Sequence, residues 1–326
     1  MAVKISNQNK WRTWKAFILF LIAAVWIIGG SLLAEYIGIW GTILTQVGLL
    51  GTAIVACLIN KTPLKEVFPM KKITVRDFFG AVFMWLGGLG IGLSSVYAMG
   101  ILMPDMYEVV SGGLDGLFSS TTMVLALITV AFLPPICEEA ITRGAILSNL
   151  RGLKRDWVII LIVGLMFGAL HMDPIRFINT AVMGSVCAFL VVKRNNILLA
   201  SLVHLCNNFL TGGLSILLSL FSNDSASQAV DAAETSVSLQ QGLASTMVMF
   251  FLAPVFLVLG AYLIRRQKEI SEGLEKKTKI GAKLAVAIVL SIAILAGGIV
   301  LNFKYNPEVQ KAMDQVTQTA VLVNVN

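Results

Sequence analysis

An all-α, polytopic transmembrane helix bundle of about eight to nine spans is the fold class this sequence predicts, and three observations predict it. The 326 residues are 57% hydrophobic and only 13% charged, and the mean hydropathy of +0.83 lies outside the range of soluble domains. Apolar stretches of about 18 residues or more recur along the whole length, each long enough to cross a hydrocarbon core of about 30 Å as a helix. The Lys and Arg residues behind the formal net charge of +7 fall in short connections between those stretches. There they act as topology signals and not as a nucleic-acid footprint. A soluble enzyme and a nucleic-acid partner are both excluded.

Taken in order, spans are expected near 16–34, 37–59, 77–102, 118–136, 157–172, 176–192, 197–220, 244–264 and 282–302. The first follows Lys4, Lys10, Arg12 and Lys15 and continues without a small-residue cleavage site, so it reads as an uncleaved span. Basic clusters at 4–15, 61–76, 151–155, 193–194 and 265–283 mark every second connection. The intervening connections carry Glu35, then Asp105, Glu108 and Asp115, then Asp224, Asp231 and Glu234. Positive charge stays inside, which predicts a cytoplasmic N-terminus. Nine spans put the C-terminus on the opposite side, and eight would return it. The expected organisation is N-terminal helices over 1–117, a four-helix catalytic core over 118–220, an outer loop over 221–243, and C-terminal helices and tail over 244–326.

Two apolar features need only packing. Gly87, Gly88, Gly90 and Gly92 follow no strand, so a phosphate-cradling loop is a poorer reading than close helix contact. Cys57, Cys137, Cys187 and Cys206 lack metal-ligand spacing or pairing and read as free, packed thiols.

The informative residues are the polar ones inside spans. Between Leu133 and Leu150 the chain reads LPPICEEAITRGAILSNL, with Glu138, Glu139 and Arg143 among apolar neighbours. A charged side chain at membrane depth costs about 2.5–3.5 kcal/mol on insertion scales, so each needs a partner, an aqueous cavity or a function. If the helix stopped at Pro135 the glutamates would be interfacial, with Glu139 and Arg143 a simple i, i+4 pair. His171 and His204, the two histidines of the chain, also lie in or at the end of apolar spans. Phe167 with His171, and His204 with Asn208, are four apart and share helical faces.

Depth brings them together. Glu138 precedes the basic connection around Lys154 by about as many residues as His171 follows it, so an antiparallel hairpin sets them side by side. If its helix runs on to Leu150, Glu138 lies roughly 18 Å from that end. His204 and Asn208 reach a similar depth from the next basic connection. In that arrangement Glu138, beside a neutral histidine, holds and deprotonates a water. His204 and Asn208 donate hydrogen bonds to the oxygen that becomes negative when water attacks a carbonyl. Arg143 holds Glu139 charged and leaves its neighbour free to titrate, although the two glutamates are interchangeable at this stage. The chemistry is hydrolysis of an amide from a water-filled cavity, without a covalent nucleophile.

Three ordered motifs, EExxxR at Glu138, Glu139 and Arg143, FxxxH at Phe167 and His171, and HxxxN at His204 and Asn208, resemble those of the CAAX-protease and bacteriocin-processing (Abi) family. The resemblance covers about 118–215. It implies a glutamate-dependent intramembrane endopeptidase in which the first glutamate and the FxxxH histidine activate water and the HxxxN pair forms the oxyanion site. It implies no cofactor, and as substrate a lipid-anchored or membrane-associated peptide or protein. Relatives trim prenylated proteins or serve bacteriocin maturation and immunity. With no retention signal or long extension, the expectation is a bacterial plasma-membrane protein.

Other readings stay open on sequence alone. His171, His204 and Glu138 would suffice for a three-ligand zinc site, although HExxH is absent. A non-catalytic scaffold or bacteriocin-immunity protein would use the polar cluster only to hold helices together. A transporter lacks its pointer, paired broken helices in two halves. A cavity opening toward the basic connections would favour substrates presented from the cytoplasm.

Overall fold

The computed structural model describes residues 11–112, 122–219, 238–274, 278–306, 309–312 and 315. Six helices are long and apolar enough to span a membrane: α1 (Thr13–Ile37), α2 (Ile39–Ile59), α3 (Val75–Leu102), α4 (Met123–Leu150), α6 (Phe177–Arg194) and α10 (Gly281–Tyr305). Two shorter apolar helices, α5 (Asp156–Leu170) and α7 (Ile197–Gly213), lie between them in the chain. The pair α8 (Leu239–Met249) and α9 (Ala253–Ser271) is bent by 45° and makes a seventh candidate span. Every expected span thus corresponds to a helix or a helix pair.

Three boundaries differ from expectation. The fourth span, expected to close at 136, runs on to Leu150. Pro134 and Pro135 sit inside it, flanked by wide π turns at Ile128–Phe132 and Ala140–Ile146. A proline removes one N–H and crowds the preceding turn, and the wide turn absorbs both without ending the helix. The outer loop expected over 221–243 ends by Ser238, whose side chain caps α8. Residues 239–243 are therefore helical, and the rest of that loop lies outside the described residues. Of the expected tail after 305, little lies within them.

The second half of α4 is the centre of the bundle, with every residue from Glu139 to Leu150 buried. The hairpin of α1 and α2 packs on one side of it and α7 on another, while α5 and α6 pair with each other and α3 pairs with α6 and α9. By contrast α1 and α10 present Leu21, Val25, Val289 and Ile292 outward, as helices facing lipid do.

The basic ends are stitched together. Arg194 bonds Asp77 at 2.6 Å and Ser271 at 3.0 Å, and Lys193 bonds Asp156 at 2.6 Å. Asn196 exchanges two hydrogen bonds with the Lys71 backbone, and Arg151 donates to Asn195 at 3.0 Å. Lys15 donates to Asn60, also at 3.0 Å, and the Arg12 backbone N–H to Asn149. The connections that the charge pattern assigns to one side of the membrane therefore lie on one face of the molecule.

The glycines of α3 serve contact. A Cβ on Gly87 would meet Leu257 Cγ at 2.7 Å and the Ala253 carbonyl at 2.8 Å, and one on Gly260 would meet the Gly80 carbonyl and Met84 N at 2.8 Å. Helices α3 and α9 touch backbone to backbone there, as small residues permit in membranes. Gly260→Leu is expected to lower thermal stability in detergent by about 1–3 kcal/mol through overpacking. Gly51→Leu, at a position with open space around it, serves as the control, and an equal loss there would sink the packing account.

Candidate active site

The site is built around one ring. Phe167, near the end of α5, has the Arg143 guanidinium 4.3 Å from its centroid. The His171 ring meets it edge-on at 4.8 Å, and the His204 ring at 5.6 Å. The FxxxH phenylalanine is thus the apolar partition against which the charged residues are ordered.

Behind the partition lies a sealed pair. Glu139 and Arg143 are both 0% exposed and bond at 2.8 Å, one turn apart on α4. The same guanidinium nitrogen donates to Thr142 Oγ1 at 2.7 Å, and the other donates to the Gly184 carbonyl of α6 at 3.1 Å. Glu139 Oε1 also receives Nδ1 of His204 at 2.9 Å. With Glu139 fixed as an ionised acceptor by Arg143, His204 carries its proton on Nδ1 and turns Nε2 the other way. That nitrogen lies 3.8 Å from Glu138 Oε2.

Glu138 faces an opening. It is partly exposed and lines a cavity of about 400 Å³, together with Thr142, Phe167, Leu170 and His171 and residues of α1 and α2. The volume falls in the range of small-molecule sites, roughly 300–1,000 Å³. His171 closes the end of α5, where its Nδ1 bonds the Phe167 carbonyl at 2.9 Å. A carbonyl only accepts, so Nδ1 carries the proton and Nε2 is left as an acceptor. Glu138 and His171 therefore offer two acceptors to one volume, which is what holding a water by both its hydrogens requires.

Asn208 stands apart from this cavity. It lines a smaller one, of about 40 Å³, with His171, His204, Asn179 and Thr180. Its amide N–H donates to the Val130 carbonyl at 3.1 Å. Pro134 is four residues after Val130 and has no N–H, so the carbonyl it leaves without a helical partner is satisfied from α7. An amide has a second N–H, which remains for another acceptor.

One residue was missed. Gln46 of α2, 6% exposed, donates to Glu138 Oε1 at 2.9 Å. The signal was present in the sequence as an uncharged polar residue inside an apolar span, which in a membrane usually bonds across helices. The reading of the glutamates as interfacial residues is overturned, since Glu139 and Arg143 are fully buried. The α1 residues that line the cavity, Ile27, Gly30, Ser31 and Ala34, belong to the half of that helix nearer the α1–α2 turn. Among the described residues no three His, Cys, Asp or Glu side chains are grouped as metal ligands would be. Cys57, Cys137 and Cys187 are buried and free, and Cys206 is free.

Residues 120–210 match a family model described as type II CAAX prenyl endopeptidase Rce1-like. The matched stretch contains α4 to α7 and hence all six polar residues of the site, while Gln46 lies outside it. Neither the curated proteins nor the solved structures contain a match.

Because Glu139 and Arg143 share one fully buried position, removing one strands the other. Arg143→Leu is expected to cost about 3–5 kcal/mol of stability, with much of it recovered in Glu139→Gln/Arg143→Leu. Thermal unfolding of the purified variants in detergent checks this, and an unchanged midpoint for Arg143→Leu would show that the pair does not organise the core.

Proposed function

From membership of the Rce1-like CAAX endopeptidase family through residues 120–210, we propose that this integral membrane protein is an intramembrane endopeptidase that cleaves lipid-anchored or membrane-associated peptides with an activated water. The observation that carries the reading is the unlike treatment of two adjacent glutamates. Glu139 is sealed against Arg143 and His204, whereas Glu138 lines the cavity with His171.

Each side chain then has one task. Glu138 and Nε2 of His171 hold the water, and Glu138 takes a proton as the water oxygen bonds to the scissile carbonyl carbon. The carbonyl oxygen becomes negative and accepts hydrogen bonds from His204 Nε2 and from the second amide N–H of Asn208. Donation from Nε2 requires the doubly protonated ring, which then has Glu139 on one nitrogen and Glu138 near the other. As the C–N bond breaks, Glu138 returns its proton to the departing nitrogen. Gln46 fixes the carboxylate that does this, and Arg143 acts through Glu139 as a positioning residue.

A zinc mechanism and a non-catalytic scaffold or immunity role are separated from this reading by one assay. A peptide pool, prenylated and unmodified, is incubated with the purified protein and its products are followed by mass spectrometry, with and without a zinc chelator. Cleavage is expected to survive chelation and to fall by about 10²–10⁴-fold in Glu138→Gln. Loss on chelation would assign His171 and His204 to a metal, and an inert parent protein across a broad pool would leave the scaffold.

Gln46→Leu is expected to lower kcat about tenfold with little change in KM, the size of one lost hydrogen bond to a charged group. Steady-state kinetics on any cleaved peptide would decide, and an unchanged kcat would remove Gln46 from the site.

A further inference from the structure

We infer that Asn179 is a third hydrogen-bond donor to the carbonyl oxygen under attack, beside His204 and Asn208; the inference rests on the protease reading of the same site.

His204 and Asn208 alone make a thin donor set. Asn208 spends one amide N–H on the Val130 carbonyl, which leaves one. His204 holds a proton on Nδ1 against Glu139, so Nε2 donates only from the doubly protonated ring. The oxygen of a tetrahedral intermediate carries a full negative charge, and in a site with little water each donor aimed at it counts heavily in the rate. A neutral amide offers its N–H groups in every protonation state of the neighbouring acids and bases.

Asn179 is such an amide, and it stands outside the three motifs. It is the third residue of α6 and lines the smaller cavity with His171, His204 and Asn208. Its Oδ1 is buried and has no hydrogen-bond partner among the described residues. That oxygen is pressed against α3 at Gly92, where a Cβ would come within 2.0 Å of it. With Oδ1 turned to the helix wall, Nδ2 is the polar atom left for the cavity, and both its protons are donors.

A buried acceptor without a partner is a standing cost that a leucine of similar shape would not carry. Gly92 gives the amide its room, yet the amide makes no bond with Oδ1 in return. Packing therefore supplies no reason for an amide at this position, whereas a demand for donors in the cavity does.

In the reaction the water oxygen bonds to the scissile carbonyl carbon, Glu138 takes a water proton, and the electron pair of the C=O π bond moves onto the carbonyl oxygen. Nδ2 of Asn179 and the remaining N–H of Asn208 meet that oxygen from α6 and α7. Charge develops there only as the water adds, so these bonds strengthen in the transition state and contribute little to binding the peptide beforehand.

The test compares the full parent chain with its variants, purified in detergent, on the peptide that the parent cleaves fastest in the mixed pool. Asn179→Leu keeps the shape of the side chain and removes the donor. It is expected to lower kcat about 10²-fold at nearly constant KM, the size of one lost oxyanion donor, while its thermal midpoint stays level or rises. A lower midpoint, a raised KM with kcat kept, or a parental kcat would each overturn the inference.

Gly92→Ala keeps the amide but displaces its oxygen, which is the free end of the side chain. It is expected to lower kcat as well. Asn179→Ala removes the atom that the new methyl would strike, so Gly92→Ala/Asn179→Ala is expected to match Asn179→Ala alone. Losses that multiply in the double variant would overturn the inference. A parent chain inert across the pool would remove the protease reading and the inference with it, whereas an active parent with an unaffected Asn179→Leu would remove the inference alone.

Discussion

The buried ion pair of Glu139 and Arg143 is the constraint on which the rest of the site depends. Two charges in the middle of an apolar bundle are tolerable only if each is met by further polar partners. Meeting them determines which helices approach. Arg143 reaches the Gly184 carbonyl on α6 and lies over Phe167 on α5, and Glu139 reaches His204 on α7. Gly184 is part of the same solution, since a Cβ there would come within 2.9 Å of Phe167 Cβ. One pair on α4 thereby locks the four helices that the family model matches.

The second device is the broken regularity of α4. Pro134 and Pro135 strip two N–H groups from a helix that carries Glu138 and Glu139 three and four residues after the second proline. In lipid such a loss has to be repaired internally. The π turns on either side and the Asn208 amide on Val130 make that repair. Asn208 therefore holds the helix that presents Glu138, and one of its amide protons is occupied in doing so. The asparagine of the HxxxN motif has a structural duty alongside the catalytic one proposed for it.

Much of this was legible in the sequence because a membrane makes polarity expensive. Glu138, Glu139, Arg143, His171 and His204 stood out as residues that an apolar span would not carry without cause, and the hairpin count placed them at one depth. The charge alternation was legible for the same reason, and the structure gathers those connections on one face. The end of α4 was not, since tandem prolines normally close a helix and nothing local announces a compensating wide turn. Gln46 was passed over because a single amide among Thr45, Val47 and Gly48 has no motif around it. Its partner lies 92 residues away. That the α1–α2 hairpin supplies one wall of the cavity beside Glu138 is a tertiary property that no window of sequence carries.

The two faces also divide mechanical labour. On the basic face, ion pairs and asparagine bonds tie α1, α2, α4, α6 and α9 to one another and to the connections beside them, so the helix ends there are held in register. On the other face α1 and α2 meet through a single glycine with φ of +59°, a backbone conformation that side chains rarely adopt. Near that turn small residues, Gly30, Ala34 and Gly41, keep the hairpin thin. A scaffold pinned at one end and narrow at the other leaves its free volume at the narrow end. Glu138 lies where the two regimes meet, held by Gln46 and backed by a sealed ion pair, with space on its remaining side.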